Sequence, residues 1–363
     1  MKPTRKKILL YALMWVLVIV ILLWADSSAE DHRAEQSITS FDIVVESGGA
    51  KQFVDEVHID EWLTKHDMHP LGRSIAEVDL AELERVVMEH SAVSGVNAYV
   101  TYEGEMELRV SLRTVVGRLR VAGYDMYIAE DGYLMPPVDG YLVAVPVITG
   151  SYRPLFDSDY VGNHAASADL HLASIDAHFD DIELRREMLY KRRTENKSEL
   201  RKVEKQSVER SIFASDDEYK GSVERLKEKK SDARKLHALK DRAIELELRA
   251  LDDERLVVAQ RKQRIHDMVE DFDRLVAFVV AVGKDSFWSS EIVQIELSGG
   301  DDSPMQLTIV PRSGDFVVDL GSTHNLEAKL QMLRNFYAET LGNIGWDKFK
   351  HISLRYDGQV VCR

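Results

Sequence analysis

Cysteine is almost missing from this chain: Cys362 is the only one in 363 residues. A lone thiol closes no disulfide within the chain and leaves no Cys-based structural zinc site. A small secreted fold stapled by disulfides is therefore excluded. Proline is scarce as well, eight in all, with none between Pro154 and Pro304. Over nearly the same interval, from Gly162 to Gly283, the only glycine is Gly221. So long a stretch without breakers predicts long helices. Basic charge is short too, with 47 Lys and Arg against 62 Asp and Glu and a net charge of −15. That balance argues against general nucleic-acid binding. With 45% hydrophobic residues the chain has enough apolar side chain for two or three domains and is not a disordered polymer.

The charge is unevenly placed. Residues 181–270 hold 21 acidic and 24 basic side chains, so half of that stretch is charged and its net charge is slightly positive. The rest of the chain carries the acidity. The stretch is a charged helical insert, and its flanks have a different character.

At the other extreme, residues 8–25 (ILLYALMWVLVIVILLWA) contain no charge. Eighteen residues at helical rise span ~27 Å, about the thickness of a hydrocarbon core. Lys2, Arg5, Lys6 and Lys7 precede the run, and Asp26, Glu30 and Asp31 follow it. The positive-inside bias predicts a short cytoplasmic tail and an exported body. Ser27-x-Ala29 offers a signal-peptide cleavage site, but signal h-regions are usually about 7–15 residues, so an uncleaved anchor is the better reading. No second long apolar run occurs after Ala25.

Beyond a polar linker, residues 41–45 read as a strand ending at Gly48-Gly49. Asp55 caps a short helix carrying Val57, Ile59, Trp62 and Leu63. Asp79 and Glu82 have capping-box spacing ahead of Leu80, Leu83 and Val87. Val96, Ala98, Val100 and Tyr102 alternate with polar neighbours, as do Met106, Leu108, Val110 and Leu112, which predicts a hairpin across Glu103-Gly104-Glu105. Strand, helix, helix, strand, strand is an ordinary α+β unit. Further on, Tyr127-Ile128 and Tyr133-Leu134 flank the turn Glu130-Asp131-Gly132. Residues 142–149 predict an edge or irregular strand because of Pro146. After the insert, Val293, Ile295 and Leu297 share a face ahead of Gly299-Gly300-Asp301-Asp302, and 306–310 pairs with 315–320 across Ser313-Gly314. A helix from Asn325 lines up Leu326, Leu330, Leu333, Tyr337 and Leu341, with Gly342 as its stop. Two short strands, 350–356 and 359–362, close the chain around Asp357-Gly358.

Within the insert, Ile175, Phe179, Ile182, Leu189, Leu200 and Val203 form a heptad seam, but Arg186, Arg193 and Asn196 occupy core positions of it. Residues 211–222, with Gly221, are the natural break between two antiparallel helices. Such a hairpin is either a solvated projection or an arm whose polar seam positions specify a partner.

Motifs of chemistry are missing. There is no G-x-S-x-G and no H-E-x-x-H. Gly283-Lys284 lacks the Ser or Thr of a phosphate loop, and Phe278 stands in place of its first glycine. His66 and His69 have no local acidic or histidine cluster around them. Asp301-Asp302 and Glu130-Asp131 sit at turns, where acidic residues are common without ligands. The basic runs 191–193 and 227–230 have no interleaved aromatics. No catalytic, cofactor or metal residue is assigned.

The residues as a set resemble the FtsQ/DivIB family of bitopic cell-division proteins, in the form found in Bacteroidetes. The resemblance covers the chain except for the insert. It is carried by Phe53-Val54-Asp55, Arg113-Thr-Val-Val-Gly-Arg-Leu, Glu130-Asp131-Gly132-Tyr-Leu-Met-Pro136 and Val145-Pro-Val-Ile-Thr-Gly150. Past the insert it continues with Asp285-Ser-Phe-Trp288, Ile292-Val-Gln-Ile295, Leu320-Gly321, Asn325, Lys329-Leu330, Gly345-Trp346 and Ile352-Ser-Leu-Arg-Tyr-Asp-Gly-Gln-Val-Val361.

The resemblance implies the following organisation: tail 1–7, transmembrane helix 8–25, linker 26–40, POTRA-like domain 41–117, a mainly antiparallel β domain made of 118–156 and 265–363, and the helical insert 157–264. It implies an α+β, non-enzymatic divisome scaffold without cofactors, held in the inner membrane with a cytoplasmic N-terminus and a periplasmic body. Such a scaffold links membrane partners like FtsB and FtsL at the septum, upstream of peptidoglycan synthesis. The alternative is a POTRA-type envelope assembly or transport component. The family's partner edge lies at the end of the β domain, matching Lys350, Ile352, Ser353, Leu354, Arg355, Tyr356, Gln359, Val360 and Val361 here. An exposed edge offers unpaired backbone groups to a partner strand. Arg355 supplies a planar charged fork and Tyr356 an amphipathic ring. The alternation of Ile352, Leu354 and Tyr356 is equally what a single buried face produces.

Overall fold

The computed structural model describes residues 14–21, 36–47, 54–137, 143–209, 215–300, 303–346, 348–356 and 358–363. The expected span 8–25 lies outside these except for 14–21, which are helical and exposed. Among the described residues no helix is long and apolar enough to cross a membrane. The basic tail, Ser27-x-Ala29, Gly48-Gly49, Leu142, residues 211–214, Asp301-Asp302 and Asp357 also lie outside the described residues. The chain divides into two compact units, one made of Met1–His164 with Asp273–Arg363 and the other of Ala165–Phe272.

The first unit begins with β1 (Ser40–Ser47), α1 (Glu56–Lys65), α2 (Leu80–Met88), β2 (Val93–Val100) and β3 (Glu105–Leu112). The strand order is β1-β3-β2, with β1 parallel and β2 antiparallel to β3. Asp55 accepts the His58 N–H and Asp79 accepts those of Ala81 and Glu82, so both helices start where a carboxylate satisfies orphan donors. Only half of the capping box at Asp79 forms, because Glu82 turns to Arg85 instead. Ile59, Leu63, Leu83, Val86 and Val87 are buried with Met106, Leu108, Val110 and Leu112 of β3. Each such side chain contributes about 1.5–3 kcal/mol by leaving water. Two residues assigned to this apolar pattern are exposed: Val57 on the outer side of α1, at 64%, and Tyr102, at 82%, in the turn beyond β2.

The same unit holds a ten-stranded mixed sheet. Its first half comprises β4 (Val115–Val121), β5 (Met126–Ala129), β6 (Tyr133–Met135), β7 (Val147–Gly150) and β8 (Gly162–Asn163). Its second half comprises β9 (Ile292–Gly300), β10 (Ser303–Pro311), β11 (Val317–Ser322), β12 (His351–Ser353) and β13 (Val361–Cys362). The order is β13-β12-β11-β10-β9-β7-β4-β5-β6-β8, and antiparallel pairs predominate. Of the two alternatives that Pro146 offered, an edge or an irregular strand, the edge is excluded: β7 pairs in parallel with both β4 and β9 and begins only after Pro146. Pro146 falls just before the strand, where its carbonyl accepts the Arg118 N–H at 3.0 Å and its missing donor costs the ladder nothing. In β9, a register shift opposite Val310 and Pro311 turns Ile292 inward and leaves Val293 exposed, against the simple alternation.

Helix α3 (His164–Glu204) enters the second unit, and α4 (Asp216–Lys284) runs from it through a last stretch, 273–284, that belongs to the first. The insert's expected boundary at 264 is thus no boundary of secondary structure. Gly221 lies inside α4 rather than in the break. In the second unit Ile175, Ile182, Leu189 and Asn196 are buried on α3, and Ile244, Leu248, Leu251, Val258 and Ile265 on α4. The helices are antiparallel, with ion pairs Asp176–Lys262, Arg186–Asp252, Arg193–Asp241 and Glu199–Lys240 at 2.5–3.3 Å. Arg186 and Arg193 therefore keep seam positions by pairing with carboxylates of α4, and Asn196 Nδ2 donates to the His237 carbonyl at 3.2 Å.

Back in the first unit, α5 (Ser286–Glu291) leads into β9 and α6 (Leu326–Phe336) follows β11. The stripe Leu326, Leu330, Leu333, Tyr337 and Leu341 is wholly buried. The helix does not stop at Gly342. It passes through one π turn, Tyr337–Leu341, and continues to Ile344, where Gly345 at φ 96° ends it.

Candidate partner-binding edge

The last strands follow from α6. A helix that returns the chain to lie parallel beside its preceding strand sets β12 against β11, with Val317, Val318 and Asp319 opposite His351, Ile352 and Ser353. A tight turn with Gly358 at φ 71° then folds β13 back on β12, Ile352 opposite Cys362 and Ser353 opposite Val361. His351 and Arg363 exchange both backbone hydrogen bonds, at 2.9 and 3.1 Å. In an antiparallel ladder the next pair makes none, so the Cys362 N–H and C=O point away from β12. In the sheet order β13 is the outermost strand.

The nine residues singled out from the sequence separate into two groups. Ile352, Ser353 and Leu354 are buried, which makes them core rather than contact side chains. Lys350 is exposed and pairs with Asp315 at 2.6 Å, holding the Asp315 carboxyl below the usual carboxylate range. Arg355 is half-exposed, and its Nε meets the buried Asp319 at 2.8 Å. Asp319 also accepts the Gly321 N–H at 2.9 Å. A Cβ on Gly321, at φ 69°, would come within 2.7 Å of the Arg355 Cγ, so the missing side chain there lets the arginine lie across β11. Tyr356 is 61% exposed and does not continue the buried face of Ile352 and Leu354. Gln359 is exposed, and Val360 and Val361 are half-buried. Cys362 was not singled out. Its signal is register, which depends on the pairing of Arg363 with His351 and is invisible in side-chain pattern.

The other quoted motifs hold this edge in place. Asp285 accepts the Phe287 and Trp288 N–H groups at 2.9 and 3.1 Å and the Arg334 guanidinium at 2.6 Å, and these donors keep its carboxyl below the usual range. Arg334 lies over the Phe287 and Trp288 rings, and Trp346 packs edge-on against Tyr337. Burial and the neighbouring Glu291 push the Tyr337 phenol above its ordinary value. The buried Lys329 ammonium donates to the carbonyls of Leu320 at 2.7 Å and Ser322 at 2.9 Å, tying α6 to the end of β11.

Histidines and acids considered for chemistry have separate tasks. His66 Nδ1 meets the Trp62 carbonyl, His69 Nε2 meets Asp60, and Lys284 pairs with Glu130. Among the described residues no group of three or more His, Cys, Asp or Glu is placed to hold a metal ion.

A βααββ unit followed by a mixed, antiparallel-rich sheet makes this an α+β protein. Comparison agrees: residues 36–111 match the family model described as a POTRA-like domain, and residues 242–363 match the one described as FtsQ/DivIB, C-terminal related. Together the two matches support an FtsQ/DivIB family protein and suggest a divisome-associated cell-division scaffold; both families are generally non-catalytic. No curated protein matches the chain.

Proposed function

We propose that the chain is a non-catalytic divisome scaffold whose C-terminal ribbon accepts a strand from membrane partners resembling FtsB and FtsL. On this reading it sits in the inner membrane as a single-pass type II protein with its body in the periplasm, at the septum during division. It then acts upstream of peptidoglycan synthesis. The observation that carries the reading is β13: an outermost strand with the Cys362 backbone groups turned outward. Affinity would come from backbone pairing. Selectivity would come from Tyr356, and from Arg355 held in position by Asp319.

The test uses the full chain with its membrane partners. Cys362→Pro removes the outward N–H without removing a bond to β12, and proline is tolerated on edge strands. The expected outcome is a loss of partner affinity of about tenfold or more, with Cys362→Ser unchanged. Wild-type affinity in Cys362→Pro would sink strand addition at this margin. Tyr356→Ala should weaken binding without changing thermal stability. The POTRA match keeps one other reading, an envelope assembly component. Depletion separates the two, since filamentous cells follow from the first and loss of assembled outer-membrane proteins from the second.

A further inference from the structure

The two outer strands of the three-stranded sheet differ in charge. Strand β1 carries its own charges, Asp42 and Glu46. Strand β2 reads VSGVNAYV, with neither a charge nor a proline, and it is the outermost strand on its side. An uncharged margin of that kind is a ready template for another strand. A register shift between Val93 and Gly95 disrupts only its beginning.

Register shows which groups the rest of β2 offers. The Thr101 N–H donates to the Glu105 carbonyl at 2.8 Å, so Tyr99–Glu107 and Asn97–Arg109 are the bonded pairs of the antiparallel ladder. Val96, Ala98 and Val100 therefore turn their N–H and C=O groups away from β3. At the middle one of these three the chain closes the margin itself: the Ala98 N–H donates to the Glu84 carboxylate at 2.7 Å. Glu84 is half-buried on α2, next to the buried Leu83. Glu82 and Glu89 both hold Arg85, whereas Glu84 reaches across to the strand.

A strand pairing here would bring its own carbonyl to the Ala98 N–H and meet a carboxylate already there, two acceptors for one donor. Hydrogen bonds to a charged acceptor are among the strong ones. We infer that Glu84 is an edge guard, which closes β2 to strand addition and above all to the β2 of a second copy. Self-pairing is the case to exclude because the strand complements itself. Antiparallel about Ala98, it sets Val96 against Val100 and Ala98 against Ala98 with no charge opposed. The inference does not depend on the role proposed for β13.

The experiment compares self-association of the full chain in neutral detergent by sedimentation equilibrium. Glu84→Ala should associate ~10-fold or more tightly than wild type. Alanine favours helix, so helix content by circular dichroism should hold. Exchange of the Ala98 amide localises the effect: in dilute Glu84→Ala it should be roughly tenfold faster than in wild type, and it should slow again as concentration rises. Adding Ala98→Pro, which removes the outward N–H and no bond to β3, should return association to the wild-type level. Asn97→Lys, which gives the exposed margin a charge, should do the same. Ordinary packing of α2 on β2 would change stability and leave self-association alone. Glu84→Ala that associates no more than wild type overturns the inference, as does an association that both Ala98→Pro and Asn97→Lys leave in place.

Discussion

The two compact units bury their seams in different ways. The sheet-containing unit ties its few buried charges to backbone or to an ion-pair partner, as with Lys329 and Asp319, and lets backbones approach closely where a side chain is absent: at Gly150, φ 120°, a Cβ would stand 2.0 Å from the Leu297 carbonyl oxygen. The helical unit accepts polar groups in its seam and satisfies them locally, with Arg193 on Asp241 and Asn196 on His237. The difference teaches where each unit is vulnerable. Central strands are held by steric fit that only one residue type meets. A helical hairpin is held by many replaceable contacts, some of which favour register over stability.

Gly150→Ala is the most direct way to break that contrast. It forces a Cβ into the β9 backbone in a conformation that L side chains rarely adopt, and should cost more than about 3 kcal/mol. Near-ultraviolet circular dichroism should show loss of the sheet unit's packing while most helical signal persists. If the sheet unit kept wild-type stability, the steric account of β7 would fail.

A smaller change with the opposite sign is expected for Asn196→Leu. Replacing a buried amide by a leucine between Leu189 and Leu200 should stabilise the hairpin by about 1–2 kcal/mol. Amide exchange in the middle of α3 should slow roughly tenfold, and exchange in β9 and β10 should not. A destabilised hairpin would show that the Asn196–His237 bond contributes more than its desolvation costs.

The smallest effect sharpens the comparison inside the sheet unit. His90 is buried edge-on against Trp62 and its Nδ1 accepts the Ala92 N–H at 3.3 Å. Burial, with a lesser contribution from His58, lowers its pKa below the ordinary 6.5. The folded chain therefore favours the neutral ring, and the stability this represents is present above pH 6.5 and is lost as pH falls toward the folded pKa. Between pH 7 and 5.5 the βααββ region should soften first, and His90→Phe should flatten that dependence. Asp285 has its carboxyl lowered, first by the Trp288 N–H, so the second half of the β domain should hold through this window and weaken only in stronger acid. Equal softening of both regions between pH 7 and 5.5 would refute the assignment to His90.

Several elements were legible because local chemistry decided them. Asp55 and Asp79 start helices through donors two or three residues away, and the β2–β3 hairpin follows from alternation. The hairpin seam followed from heptad spacing, including its polar members. Of the C-terminal ribbon, the two strands were legible but not which of their side chains are buried. Tyr356 fitted both a partner-facing ring and the third member of a buried row, and alternation could not choose between them; it is exposed, while Ile352 and Leu354 are buried.

By itself, then, the sequence determined the α+β character, the βααββ order, the two-helix insert and the C-terminal ribbon, since each rests on periodicity or on contacts within a few residues. Tertiary structure alone decided that β7 is central and that the Cys362 backbone faces outward. Those outcomes depend on which distant strand supplies the hydrogen bonds. Pairing of that kind leaves no mark on the residues immediately around it.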